Sequence, residues 1–173
     1  MLLMERITKA GTIKCPQCGG DFEVFTREDH AFWPEGILEV IMTCTKCGYR
    51  TVDVFPLKEM KPNRQEFRVT TDKDLGVRVV KSSRATIRIP EFGVEIAPGP
   101  ASEGYITNVE GVLDRLEDVL RQMVKWKKPR ARAMLEKIQA VRERVREPFT
   151  LVIEDPSGAS LIISPKTKKI EFK

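Results

Sequence analysis

The sequence predicts a mainly β chain with an α-hairpin: a four-cysteine zinc ribbon in front of a β-rich domain that a two-helix hairpin interrupts. Three observations predict it. Two C-x-x-C pairs stand at Cys15-Pro-Gln-Cys18 and Cys44-Thr-Lys-Cys47. Short apolar alternations bounded by Pro and Gly recur along the chain. One long stretch, at about 107–147, instead carries apolar residues at three- and four-residue steps.

Each C-x-x-C pair is followed by glycine, Gly19 and Gly48. Two-residue spacing lets both thiolates of a tight turn converge on one ion, and the glycine permits the positive φ that turns backbone amides toward sulfur. With no signal-peptide core, and with cysteine only in paired knuckles, disulfides are disfavoured. A redox motif needs no second pair, and zinc is favoured over an iron–sulfur cluster. Four thiolates fill the shell of one ion, so Cys15, Cys18, Cys44 and Cys47 are read as ligands of one structural zinc. Strands are expected at Asp21–Thr26, Leu38–Thr43 and Arg50–Phe55. The gap between the pairs, 25 residues, exceeds that of a generic ribbon. It predicts an inserted loop, Arg27–Gly36, carrying Phe32 and Trp33. Those aromatics either anchor a partner or cap the small ribbon core.

The expected organisation is a ribbon over 1–56, a polar linker over 57–67 and a β domain over 68–173. Strands are read at Gly76–Lys81, Ala85–Ile89 and Phe92–Ile96. Thr107-Asn108-Val109-Glu110 fits a capping box, with Thr107 as N-cap. Val109, Val112, Leu113, Leu116, Val119, Leu120 and Met123 then mark a helix to about Trp126. Pro129 suits the first turn of a second helix, striped by Ala131, Met134, Ile138, Val141 and Val145. Pro148 stops it. Phe149–Glu154 and Leu161–Ser164 are expected to pair as a hairpin through the turn Asp155-Pro156-Ser157-Gly158. Ile170–Lys173 is a candidate edge.

Composition prunes the function. The chain has 173 residues, 30 Lys+Arg against 25 Asp+Glu, and one histidine, His30. No H-E-x-x-H, G-x-S-x-G or P-loop pattern occurs, so the expectation is a protein that is not an enzyme. The longest apolar run, Met1–Met4, is too short for a membrane helix or a signal core, which predicts a cytoplasmic protein. The formal charge of +5 falls to about +3 once four thiolates and a divalent ion are counted. Residues 114–147 hold eleven basic and six acidic groups, so the basic excess is local. On the second helix Arg130, Lys137 and Arg144 fall on one flank and Arg132 and Arg146 on the other, with Glu136, Glu143 and Glu147 near the pole opposite the core. A phosphate-tracking helix would put its acids elsewhere. The concentrated exception is the hairpin tip: Lys125, Trp126, Lys127, Lys128, Arg130 and Arg132.

The cysteine pairs with Gly48-Tyr49-Arg50, then Val80-Lys81-Ser82, Ile89-Pro90-Glu91, Gly104, Thr107, Val109-Glu110-Gly111, Pro148-Phe149-Thr150-Leu151 and Asp155-Pro156-Ser157-Gly158 follow in one order. In them the chain resembles the ZPR-type zinc-finger family. It is similar to single-module, archaeal-like members, whereas eukaryotic members look like two copies of ribbon plus β domain. Thr107-Asn108-Val109-Glu110-Gly111 stands where the family has Thr-Thr-Val-Glu-Gly, and Ala159 where it has Asn. The resemblance implies a double-stranded β-helix (jelly-roll-like) domain carrying the hairpin, and a chaperone-like role in binding translation elongation factor 1-alpha. The alternative is a nucleic-acid-binding zinc-ribbon protein acting through the basic hairpin. A metal-dependent enzyme of the β-helix type is disfavoured, because such sites use several histidines.

Overall fold

The computed structural model describes residues 7–30 and 36–172. Four antiparallel strands build the ribbon in the order β1-β2-β3-β4: β1 (Thr8–Lys14), β2 (Asp21–Asp29), β3 (Ile37–Cys44) and β4 (Arg50–Pro56). Strand β1 has no sequence signal, since its seven residues are all exposed. Backbone pairing to β2, not a buried face, makes it a strand. The expected inserted loop is shorter than Arg27–Gly36. Arg27, Glu28 and Asp29 pair with Glu39, Leu38 and Ile37 as part of β2.

The second unit has two antiparallel sheets. Strands β5 (Asn63–Val69), β6 (Arg78–Lys81), β7 (Thr86–Ile89), β8 (Val94–Ile96) and β9 (Tyr105–Asn108) precede the helices. Strands β10 (Phe149–Asp155), β11 (Leu161–Ile162) and β12 (Lys168–Glu171) follow them. One sheet runs β12-β5-β10-β7-β8 and the other β11-β6-β9. A shared core joins them: Phe67, Leu151, Ile153 and Ile89 from the first, Val79 and Ile162 from the second. Helices α1 (Val109–Lys125) and α2 (Ala131–Glu143) add Val112, Leu113, Leu116 and Ile138 to that core. This is the β domain with a helical hairpin that the sequence predicts.

Three expectations need correction. The stretch 57–67 is not all linker, because β5 begins at Asn63 and lies between β12 and β10. Its inward positions are Asn63, Gln65, Phe67 and Val69, so the alternation is real but half of it is polar. Both polar groups are bonded. Gln65 Nε2 donates to Ser160 O at 2.7 Å, Ile162 N donates to Gln65 Oε1 at 2.8 Å, and Asn63 Nδ2 donates to Gly158 O at 3.2 Å. Bonding of this kind is what makes their burial tolerable.

Second, β11 does not pair with β10. It pairs with β6 in the other sheet, so Asp155–Gly158 is a corner between sheets and not a hairpin turn. Third, the cap of α1 is Asn108, whose Oδ1 accepts Gly111 N at 2.8 Å. Thr107 stays in β9. Helix α2 starts at Ala131, after Arg130 in the left-handed region, and ends at Glu143 because Arg144 is extended and Val145 N donates to Asp72 Oδ1 at 2.7 Å.

Gly158 sits at the corner with φ +73°, and a Cβ there would lie 2.4 Å from Lys61 O and 2.7 Å from Met60 Cβ. Gly158→Ala is expected to lower the melting temperature by roughly 5 °C, from about 2 kcal/mol of strain and overpacking. Gly76→Ala, where a Cβ meets nothing within 4 Å, should leave it nearly unchanged. Equal melts for both variants would show the corner assignment to be wrong.

Candidate functional site

The knuckles form as the spacing predicts. Gly19 and Gly48 take φ of +67° and +74°, and each closes its turn by donating to the first cysteine carbonyl: Gly19 N to Cys15 O at 2.9 Å, Gly48 N to Cys44 O at 3.1 Å. The four sulfurs lie within 4.8 Å of one another. Cys15 Sγ is 3.8 Å from Cys47 Sγ, and Cys18 Sγ is 3.5 Å from Cys44 Sγ. A tetrahedron of thiolates around zinc has edges of about 3.8 Å, so the donor set fits one zinc ion.

The amides of Cys47 and Lys46 point at Cys44 Sγ from 3.5 and 3.4 Å. They pull the Cys44 thiol down to about 6. The Tyr49 amide pulls on Cys47 too, but desolvation and the surrounding sulfurs push that thiol up to about 12. A divalent ion resolves this crowding by taking all four as thiolates. Phe22 stacks on Tyr49 at 5.7 Å and packs with Cys15 and Cys44. The chain holds one zinc ion here, in a shell without an open position for water.

The hairpin is pinned at its waist. Buried Glu117 of α1 accepts from Gln139 Nε2 at 2.9 Å, from Arg142 Nη1 at 2.5 Å and from Arg121. Gln139 and then both arginines, acting against desolvation, hold its carboxyl down at about 2. Arg142 also reaches Asp114 at 3.0 Å, so both partners on α2 are clamped to α1.

At the tip, α1 ends in a Schellman turn. Lys128 N donates to Met123 O and Lys127 N to Val124 O, both at 3.0 Å. Lys127 fills the left-handed position, φ 54°, where glycine is usual. Trp126 is 68 % exposed. Lys125, Lys127, Lys128, Arg130 and Arg132 are exposed around it and form no ion pair among the described residues. The structure therefore gathers this part of the expected partner surface in one place. Phe32 and Trp33, the other part, lie outside the described residues.

The motif residues also meet in space. Ser82, just after β6, donates to Asp155 Oδ2 at 2.9 Å, and Ser160 N and Ser157 N reach the same carboxylate at 2.8 Å. Next to it, Ser83 N donates to Asp53 Oδ1 at 2.9 Å and Ser83 Oγ to Asp53 Oδ2 at 2.5 Å. This ties β4 of the ribbon to the β domain. Gly104 N donates to Val52 O at 2.8 Å across the same junction. Sequence reasoning treats Ser82 and Asp155 as a strand end and a turn, and only the fold brings them together. Glu91 likewise accepts Thr150 N at 3.0 Å.

A family model described as the ZPR1 jelly-roll domain matches residues 73–173. The chain is 40 % identical over 158 residues to a ZPR1-like protein of Methanocaldococcus jannaschii, covering 87 % of this chain and 79 % of that one. It is 36 % identical over 176 residues to a ZPR1-like protein of Pyrococcus horikoshii, covering 95 % and 78 %. It is 32 % identical over 127 residues to the zinc finger chaperone zpr1 of Schizosaccharomyces pombe, covering 69 % of this chain and 27 % of that one. It thus spans about a quarter of the eukaryotic relative's length. Among the described residues no helix is long and apolar enough to cross a membrane.

Two outcomes follow from the site. Atomic absorption should find one zinc per chain, and Cys44→Ser should weaken zinc by more than the roughly 100-fold of an outer-shell change, read by chelator competition. Full retention of zinc by that variant would contradict the ligand assignment. The Glu117 carboxyl titrates at about 2 when folded, against an ordinary value of 4.5. Its stabilisation is complete above about pH 5 and is lost as pH falls toward 2. Glu117→Gln should cost about 2 kcal/mol at pH 7, and the gap in melting temperature should close across that window. A gap independent of pH would rule the clamp out.

Proposed function

Because this chain belongs to the ZPR1 zinc-finger family, we propose that it is a protein-interaction module, a chaperone-like factor that binds translation elongation factor 1-alpha in the cytoplasm. The observation that carries this reading is the hairpin tip: five cations with no ion pair among the described residues, around a tryptophan that is 68 % exposed. A large aromatic set among cations suits an acidic protein surface with an apolar slot. The zinc site has no position for a substrate, so its part is to hold the ribbon in shape, and the module acts without covalent chemistry. The name of the Schizosaccharomyces pombe relative, a zinc finger chaperone, supports the same reading. The second reading is a nucleic acid held by the same cations. Glu136 and Glu143, exposed on α2, would repel a phosphate backbone laid along that helix.

The test is retention of the same organism's elongation factor, folded and partly unfolded, on the immobilised zinc-loaded chain. Retention of either form is expected. It should fall at least tenfold when Lys125, Lys127, Lys128, Arg130 and Arg132 are changed to Gln or when Trp126 is changed to Ala. Failure to retain either form overturns the proposal. Tight oligonucleotide binding that collapses with rising salt would favour the second reading.

A further inference from the structure

A recess of about 190 Å³ opens where the ribbon meets the β domain. Four elements line it: β3 through Glu39, β4 through Arg50, β9 through Tyr105 and Ile106, and α1 through Arg115. Its two guanidinium groups come from units far apart in sequence. Neither forms an ion pair among the described residues, whereas Arg64, Arg88 and Arg142 all do. Arg115 is nonetheless held in place. Its guanidinium lies 4.3 Å from the Tyr105 ring centroid, and Nη1 donates to Gly111 O at 3.1 Å. Most of its five donors remain available.

The edge of β9 adds a backbone donor. Val109 N donates inward to Val77 O at 2.9 Å, while Gly104 N donates outward to Val52 O at 2.8 Å. Amides alternate along a strand, so Ile106 N–H lies on the same outer edge as Gly104 N–H, and Ile106 lines the recess. Two carboxylates also line the walls. Glu39 is neutralised by Arg27 at 2.7 Å, which leaves Glu103, among the described residues, as the one other acid lining the recess beside the two arginines.

We infer that this recess binds a single oxyanion, a phosphate or a carboxylate group, between the guanidinium groups of Arg50 and Arg115, with Ile106 N–H as the backbone donor. Guanidinium forks match the geometry of both oxyanions. The space equals about six waters, enough for one such group and too little for a nucleotide. The site lies at the junction of ribbon and β domain, so an anion held there would bridge the two units.

The test is an amide NMR titration of the zinc-loaded chain at constant ionic strength, with inorganic phosphate in one arm and N-acetylaspartate in the other. The Ile106 amide should shift saturably in at least one arm. A phosphate response identifies a free anion as the ligand, and a carboxylate response identifies an acidic side chain. Affinity should fall about tenfold in Arg50→Gln and in Arg115→Gln, as for loss of one charge-assisted bond, and should rise in Glu103→Gln. No saturable shift in either arm, or wild-type affinity in both arginine variants, overturns the inference.

Discussion

One buried carboxylate organises this molecule. Asp155 is 0 % exposed and accepts from Ser82 Oγ, from Ser157 N and Oγ, and from Ser160 N and Oγ. Burial alone would push its carboxyl up, yet these donors hold it below its ordinary value. The donors come from different places. Asp155 ends a strand of the five-stranded sheet, Ser82 follows a strand of the three-stranded sheet, and Ser160 precedes another. An unpaired charge at this corner would cost several kcal/mol, so the two sheets are held in one relative position. Ser83, one residue on, takes the neighbouring bond to Asp53, which sets the ribbon on the same corner. Lys81 lies beside it, buried, with Nζ donating to Ser82 O at 2.9 Å. Burial lowers its pKa, and the charges of Asp155 and Asp53 pull against that.

The two candidate surfaces inherit their positions from this corner. Strand β9 pairs with β6, which ends at Lys81, and runs straight into α1. Helix α1 carries Glu117, which fixes α2, and ends in the Schellman turn that presents Trp126. On the other side, β4 follows the second zinc knuckle and carries Asp53 at its middle. Zinc fixes one end of the ribbon, and the Asp53–Ser83 pair ties the middle of β4 to the β domain. The metal centre and the hairpin tip are thus two ends of one connected scaffold.

How much of this the sequence discloses depends on whether the signal is local. The zinc ligands are legible because C-x-x-C-G is a complete local instruction, and the helices because an apolar stripe repeats over four turns. Strand β1 is invisible, since an exposed edge strand needs no apolar face. Strand β5 is hidden because Asn63 and Gln65 occupy its inward positions. The partner of β11 is hidden because a Pro-Ser-Gly turn looks alike whether the chain folds back or crosses to another sheet. The Arg50–Arg115 recess has no local signal, because its residues are brought together only by the docking of ribbon on β domain. The motifs that carry the family resemblance are legible as words, but their pairing, Ser82 with Asp155 and Glu91 with Thr150, is written in the fold.

The hairpin tip is the proposed docking face for the elongation factor. The most direct measurement places a photo-crosslinking phenylalanine analogue at position 126 of the zinc-loaded chain, mixed with the same organism's elongation factor 1-alpha. If the tip is the docking face, a crosslink forms from position 126 and none from position 13, where Ile13 of β1 is also exposed, at 53 %. A bound factor that crosslinks from position 13 and not from position 126 would contradict it.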